Sequence, residues 1–225
     1  MVGIIALIGF TRRSLRITQP IINLRLFANR GFTTCVLAFV CLQISALGLS
    51  FVLPNYIQLV NGNTALIAGL LVLPGSALGA IVGPLSGRLF DHIGAKLPLR
   101  LGGLVGALGL LGLFLFGHQL SDPLLVLMYC FFMLGLGLSY GNLMTFGLGH
   151  LAPEASSDGN AIYNTLQQFA AAVGTSVAAA LVAAGQAATH NLATGTANGS
   201  VTTFALLTIL LVCEFIFVVR VTRAK

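Results

Sequence analysis

The feature that most constrains this chain is a series of six apolar runs, each close to the length that a helix needs to cross a lipid bilayer. Such a helix requires about 20 predominantly apolar residues. Gly, Pro, Asn and charged residues separate the runs, which extend over approximately 31–54, 64–86, 98–117, 123–148, 161–185 and 201–219. The pattern predicts an all-α integral membrane protein with six transmembrane helices.

Composition supports a lipid environment. Hydrophobic residues make up 57% of the chain and charged residues 7%, with a mean hydropathy of +0.98, whereas a soluble domain carries about 25% charged residues. The net charge of +6 does not indicate a nucleic-acid partner, because the basic residues are confined to short segments between apolar runs. We therefore expect the lipid bilayer as a partner and no nucleic acid.

The basic residues predict the orientation. All eleven Lys and Arg residues lie before the first run, between the second and third runs, or after the sixth. Six alternating helices place these segments on one side of the membrane, and the excess of basic residues predicts that this side is cytoplasmic. The chain is therefore expected to be a multi-pass membrane protein with a cytoplasmic C-terminus.

Four segments are predicted along the chain. Residues 1–10 are apolar, half the length of a span, and followed by arginines, so they resemble the end of a truncated upstream transmembrane helix more than a signal peptide. Residues 11–30 form a basic cytoplasmic linker, 31–220 the six-helix bundle and 221–225 a cytoplasmic tail. This division predicts that the chain is the second part of a larger protein.

Cysteine and histidine give no indication of a cofactor or metal site. The four cysteines lie inside apolar runs without a Cys-x-x-Cys pair, and all four histidines lie outside the runs. The stretch GLSYG at 137–141 matches the G-x-S-x-G motif of serine hydrolases, which requires a strand-to-helix turn and a histidine base. Because it lies in the middle of an apolar run, a hydrolase using Ser139 is only a minor alternative, and we expect no catalytic residue and no enzyme.

Glycines recur at regular intervals in two runs. They occupy every fourth position in the second run and every third position in the third run: Gly75, Gly79, Gly83 and Gly87, then Gly103, Gly106, Gly109 and Gly112. Small residues allow close approach of helices in lipid. The spacing predicts tight packing, or alternatively helices that rock against their neighbours.

The charged stretch GRLFDHIGAKLPLR, residues 87–100, is a candidate cytoplasmic gating turn. Gly87 and Gly94 suit a tight turn, Asp91 could accept backbone N–H groups at a helix start, and Lys96 and Arg100 could anchor the turn at an anionic membrane surface. Such an aspartate can hold one conformation and release in another. The alternative is a well-capped turn between two helices.

Polar residues inside membrane spans are candidates for function because they are costly there. Those expected to line a cavity, or otherwise to join helices, are Gln43, Asn142, Asn164, Gln167 and Gln168. The last three and Thr175 share a stripe expected to point into the bundle or a cavity, where it would line an inner vestibule or contact the missing half of the protein. Glu214 is the acidic residue that lies well inside a span, and it is a candidate for proton coupling unless it extends toward Arg220 or water.

Residues 87–100 resemble the signature of the major facilitator superfamily, which joins the second and third helices of each six-helix half. The stretches 53–94 and 159–181 are similar to the carboxy-terminal half of the fourteen-span drug:proton antiporters, which are bacterial multidrug exporters. His92 departs from the arginine that is more usual in the family.

The resemblance implies a six-transmembrane-helix half of a major facilitator fold, built as two three-helix inverted repeats. It implies proton-coupled efflux of small hydrophobic, often cationic, compounds by alternating access. Protons and a missing N-terminal half, or a second chain, would be partners. The alternatives are a major facilitator carrier for another small solute and a non-transporting membrane remnant or assembly subunit.

Overall fold

The structure, a computed structural model, describes residues 24–223 and consists of six long helices in this range. They are α1 (Arg30–Leu59), α2 (Ala65–Ile93), α3 (Lys96–Leu115), α4 (Asp122–Leu148), α5 (Ser156–Ala187) and α6 (Leu192–Arg223). Short 3-10 helices at Leu24–Ala28 and Pro153–Ala155 precede α1 and α5, and residues 24–223 contain no strand. All six helices are long and apolar enough to cross a membrane, which confirms the predicted all-α architecture.

The helices extend beyond the predicted runs. α1 continues through Pro54 to Leu59, and α6 begins at Leu192, well before the predicted residue 201. A proline interrupts only its own turn, and Gly, Thr and Asn can be helical where packing outweighs their low propensity. Residues 221–223 are helical and form the end of α6. The predicted segment 1–10 and most of the linker 11–30 lie outside the described residues.

The packing has an approximate twofold symmetry that exchanges α1–α3 with α4–α6. α2 and α3 both pack along α4, and α5 and α6 both pack along α1, while α1 contacts α4 and α3 contacts α6. The symmetry also relates the pair α2–α3 to the pair α5–α6, but these two pairs differ. α5 and α6 pack closely, whereas α2 and α3 have little contact beyond their turn. The two three-helix inverted repeats are therefore present.

Aromatic side chains pack between α1 and α5 in the half of the bundle where α1 begins. Tyr163 of α5 meets Phe39 and Phe32 of α1 edge-on, with ring centroids 5.0 and 5.7 Å apart. Its hydroxyl donates to the carbonyl oxygen of Leu143, 3.3 Å away, so the buried polar group is satisfied. These contacts join α1, α4 and α5 where the two repeats meet.

The glycine spacing serves close packing in α3 and only part of α2. A methyl group at Gly109 of α3 would lie 2.6 Å from the backbone nitrogen of Phe132 in α4, and one at Gly103 would lie 2.6 Å from Oε2 of Glu214 in α6. In α2, Gly75 and Gly79 face α4, whereas Gly83 and Gly87 have open space around them. Tight packing is therefore confirmed for the glycines of α3 and for Gly75 and Gly79 of α2.

Hydrogen bonds join the loops at each end of the bundle. At one end, Asn61 and Asn63 donate to the carboxylate of Asp122 at 2.6 and 2.7 Å. At the other end, Arg100 Nε donates to Thr222 Oγ1 at 2.9 Å. This second end, which we call the basic end, carries the cations of the helix termini: Arg30, Arg88, Lys96, Arg100, Arg220 and Arg223.

Candidate transport pathway

The turn predicted from residues 87–100 lies between α2 and α3 and is only two residues long. Gly94 ends α2 with φ +81° and ψ 175°, a conformation that is almost restricted to glycine. Ala95 is the N-cap residue of α3. A side chain at Gly94 would be strained, so glycine suits the position where α2 turns into α3.

Two other residues of this stretch do not shape the turn. Gly87 lies inside α2, about two turns before its end, with open space where a side chain would extend. Asp91 lies in the last turn of α2, is exposed, and makes no hydrogen bond with another described residue. It does not cap α3, whose N-cap residue Ala95 forms no side-chain bond. The predicted capping contact is therefore absent from this conformation, and the gating role stays a prediction.

The two cations of the stretch lie on the first turns of α3. Lys96 is exposed and begins the helix, whereas Arg100 is half-buried and donates to Thr222 of α6. Arg100 therefore links the end of the predicted turn to the last helix of the bundle.

A cavity of about 260 Å³ lies between α2 and α4. It is lined by Gly79, Gly83, Met133, Leu136, Gly137, Tyr140 and Gly141. The Tyr140 ring lies 5.3 Å from the Phe39 ring of α1, so one wall residue of the cavity also packs against the first helix. Its surface is apolar, with glycines that leave room beside a methionine and an aromatic ring. Such a lining suits a hydrophobic, aromatic compound.

None of the residues that line this cavity was predicted. The search for polar residues inside spans could not find them, because glycine and methionine have no charged or amide group. The usable signal was steric: Gly79 and Gly83 recur four residues apart on α2, and Gly137 and Gly141 recur four residues apart on α4. Two facing small-residue faces leave a gap unless they pack together completely.

The polar stripe of α5 lies on the surface of the six-helix bundle. Asn164 and Gln168 are exposed, and Gln167 and Thr175 are half-buried. The side-chain nitrogen of Asn164 and the hydroxyl of Thr175 donate to carbonyl oxygens of their own helix at 3.0 Å. The stripe does not point into the bundle formed by α1–α6, since α5 turns its aromatic and apolar face to α1, and its alternative roles in a vestibule or in contact with further helices stay predictions. A polar surface at membrane depth requires water or a further protein surface against it.

The other two predicted cavity residues are buried. Asn142 is 4% exposed, and its amide nitrogen donates to Ser86 Oγ of α2 at 2.5 Å and to the carbonyl oxygen of Leu138 at 2.8 Å. This arrangement favours the alternative of interhelical bonding for Asn142. Gln43 is 5% exposed in α1 and makes no hydrogen bond with another described residue, so its side chain is available for a polar partner.

Glu214 is completely buried in α6. Neither carboxylate oxygen has a hydrogen-bond partner in the described structure, and Oε2 faces Gly103 of α3. The alternative that Glu214 extends toward Arg220 or water is therefore wrong for this conformation. An unpaired ionised carboxylate is very costly in such surroundings, so charge at this position requires a partner or water that this conformation does not provide.

Ser139, the centre of the G-x-S-x-G match, is also fully buried. Its hydroxyl has no hydrogen-bond partner within residues 24–223, and it faces Gly102 of α3 from the middle of α4. His150 uses Nδ1 for the carbonyl oxygen of Phe146 at 2.8 Å. The site lacks the exposed serine, sharp turn and adjacent base that a hydrolase nucleophile requires.

Comparisons with known proteins agree with this architecture. The family model of the Major Facilitator Superfamily matches residues 6–175. The lincomycin resistance protein LmrB of Bacillus subtilis is 36% identical over 187 residues, which cover 83% of this chain and 39% of LmrB. The multidrug resistance protein Stp of Mycobacterium tuberculosis is 29% identical over 189 residues, which cover 84% of this chain and 34% of Stp.

The multidrug efflux pump LfrA of Mycolicibacterium smegmatis is 28% identical over 174 residues, covering 77% of this chain and 34% of LfrA. The chain thus spans between about a third and two fifths of the length of these three relatives. The family match covers most of the chain, and the six described helices have the arrangement of one six-helix half. This chain belongs to the major facilitator superfamily.

Proposed function

We propose that this chain is the carboxy-terminal six-helix half of a drug exporter with fourteen spans. The exporter moves hydrophobic, often cationic, compounds out of the cell by alternating access, in exchange for protons. The resistance and efflux functions in the names of LmrB, Stp and LfrA support the substrate class. The basic end of the bundle is cytoplasmic in this proposal, because basic residues accumulate on that side of membranes.

The observation that carries the proposal is the uncovered polar face of α5. Asn160, Asn164 and Gln168 are exposed along one side of a helix that is long and apolar enough to span a membrane. Lipid does not satisfy amide groups, so a second bundle of helices or an aqueous path must lie against this face. A transporter made of two halves around a central path provides both.

The cavity between α2 and α4 would receive the apolar part of the transported compound. Its volume of about 260 Å³ accommodates part of a drug-sized molecule, and the remainder would lie against the other half. Gly83 and Gly141 have no side chain to occupy the cavity, so they leave it wide. Aromatic contact with Tyr140 would favour flat and cationic compounds.

Glu214 is our candidate for proton coupling within this half. Its carboxyl group is dry and unpaired in the present conformation. Rocking of α6 against α3 would admit water beside Gly103, where the absence of a side chain leaves the smallest barrier. A carboxyl group that alternates between dry and wet surroundings can bind and release one proton per cycle.

Transport in inverted membrane vesicles tests the proposal. We expect the protein at its natural length to accumulate a fluorescent cationic dye when a proton gradient is present and to lose that activity on addition of an uncoupler. Dye accumulation that continues unchanged after addition of the uncoupler would contradict proton coupling. Accumulation of a polar solute in place of the dye would favour the carrier alternative.

The variant Glu214→Gln separates coupling from binding. Glutamine keeps the shape of the side chain but cannot exchange a proton, so proton-driven dye uptake should fall by about tenfold or more, which is the usual effect of removing a positioned acid or base. Dye binding, measured by fluorescence anisotropy, should be preserved. Glu154→Gln is the matched control, since Glu154 is exposed in the short 3-10 helix that precedes α5. Full proton-driven uptake by Glu214→Gln would exclude this residue from coupling.

A further inference from the structure

A second cavity lies between α3 and α6 and is separate from the cavity between α2 and α4. Its volume is about 220 Å³, and it is lined by Leu104, Ala107, Leu108, Leu111, Thr208, Val212 and Phe215. Only apolar atoms face it, because the hydroxyl of Thr208 donates to the carbonyl oxygen of Phe204 at 2.7 Å. Leu104, Leu108 and Val212 are each about half exposed on the surface of the bundle. We call this cavity the α3–α6 groove.

The apolar stripes that form the groove lead to cations at the basic end. On α3, Leu111, Leu108 and Leu104 follow one another at helical spacing, and Arg100 continues the same face by one turn. On α6, residues 208, 212, 215 and 219 share a face that Arg223 extends by a further turn. The two helices therefore present a long apolar slot that ends in two arginines.

The arginines are available to an anion. Arg100 uses Nε for Thr222 Oγ1 at 2.9 Å, which joins the two helices at the mouth of the groove and fixes the guanidinium there. Within the described part of the chain, no carboxylate forms a salt bridge with Arg100 or Arg223. A guanidinium carries five N–H donors and matches the oxygens of a phosphate with two parallel hydrogen bonds. Lys96 and Arg220, both exposed, add positive charge at the same end.

We propose that the α3–α6 groove binds an anionic phospholipid from the leaflet at the basic end. One acyl chain lies along the leucines of α3 and the apolar face of α6, and the phosphate group lies between Arg100 and Arg223. Cations beside an apolar slot disfavour a cationic drug, and a second copy of the chain would bring like charges together. This inference does not rest on the proposed transport function.

Native mass spectrometry tests the proposal with two lipids that share their acyl chains. The protein at its natural length is purified in a mild detergent and mixed with dioleoyl phosphatidylglycerol or dioleoyl phosphatidylcholine. We expect retention of the anionic lipid to exceed that of the zwitterionic lipid. The double variant Arg100→Gln/Arg223→Gln should reduce this preference by about fivefold for each arginine, the contribution typical of a basic residue at a membrane surface.

Three variants distinguish the contributions of charge, helix packing and the groove. Arg88→Gln removes the same charge from the basic end but on α2, which packs mainly against α4, and should preserve the preference. Thr222→Val breaks the bond that positions Arg100 without removing charge, and it should lower the preference by less than the loss of the arginine does. Ala107→Phe fills the groove and should reduce retention of both lipids without changing their ratio.

Several outcomes would overturn the proposal. Equal retention of the two lipids by the unaltered protein would exclude a site for anionic lipid in the groove. An unchanged preference in the double arginine variant would exclude it as well. A dimer mass that disappears with Ala107→Phe would assign the groove to a second copy of the chain. Release of the bound anionic lipid by a cationic dye in direct competition would assign it to the transported compound.

Discussion

Individual glycines in this bundle have different roles according to what lies opposite them. Gly109 of α3 faces the backbone of α4, where any side chain would collide with Phe132 or Met128. Gly141 of α4 borders the cavity between α2 and α4 and has no atom within 4 Å of the position of a side chain. The first residue sets how closely two helices approach, and the second leaves room that a ligand can occupy.

Substitution of Gly109 by alanine should destabilise the protein. The added methyl group would lie 2.6 Å from a backbone nitrogen that cannot move independently of α4, and overpacking of this kind costs about 1–3 kcal/mol. Thermal unfolding in detergent, followed by circular dichroism, measures the effect. Gly69→Ala is the matched control, because Gly69 has no neighbour within 4 Å. Equal unfolding temperatures for the two variants would show that α3 and α4 are not held by this contact.

Filling the cavity should impair drug handling without unfolding the protein. Gly141→Leu places a side chain in the space beside Tyr140 and should raise the KM for a bulky dye by about tenfold or more, as expected when a hydrophobic pocket loses several methylene volumes. Gly69→Leu adds the same side chain elsewhere on the surface and should leave KM unchanged. Normal dye transport by Gly141→Leu would locate drug binding away from this cavity.

Helix α2 depends on α4 more than any other helix of the bundle depends on a single neighbour. It has three buried residues, Ala68, Gly75 and Ser86, and packs mainly along α4. Near the basic end, Ser86 and Asn142 hold the two helices through hydrogen bonds of 2.5 and 3.1 Å, the second from Ser86 Oγ to the carbonyl oxygen of Leu138. These bonds fix the helix that carries Asp91 and leads into the α2–α3 turn.

A double-mutant cycle measures the strength of this attachment. We expect Ser86→Ala and Asn142→Ala to be coupled by about 0.6–1.7 kcal/mol, the range found for hydrogen bonds between transmembrane helices. Unfolding in mixed detergent micelles gives the free energies. Thr165→Val is a suitable control, because the Thr165 hydroxyl donates only to its own helix, at Ala161. Strictly additive effects of the two substitutions would mean that packing alone holds α2 in place.

At the scale of the whole molecule, successive helices run in opposite directions, so consecutive connections lie at opposite ends of the bundle. The α2–α3 turn lies at the basic end, and the α3–α4 connection lies near Asn61 and Asn63 at the other end. If the basic end is cytoplasmic, these two connections are accessible from different sides of the membrane.

Cysteine labelling in intact cells tests this orientation. In a variant without the four native cysteines, Ala95→Cys should react with a membrane-impermeant thiol reagent only after the membrane is permeabilised. Gln119→Cys, on an exposed residue of the α3–α4 connection, should react in intact cells. The reverse labelling pattern would show that the basic end faces the outside of the cell. The orientation predicted from the basic residues would then be wrong.

The sequence by itself determined that the helices lie in lipid, how many of them there are and to which family the chain belongs. Six apolar runs of span length leave no other way to satisfy the backbone in lipid than helices, and the clustering of all basic residues between alternate runs predicts one orientation. Gly94 was also predictable, because a turn of two residues between long helices needs a conformation that side chains disfavour. These properties depend on local composition and spacing along the chain.

Only the tertiary structure decided which faces are buried, and therefore what each polar residue does. The stripe of Asn164, Gln167 and Gln168 lies at the surface of this bundle, whereas Asn142 bonds to α2 and Glu214 is sealed against α3. In lipid, apolar residues are favourable on every side of a helix, so hydrophobic periodicity does not identify the buried face. The two cavities likewise arise from residues on pairs of helices that are separate in sequence, and only their packing brings them together.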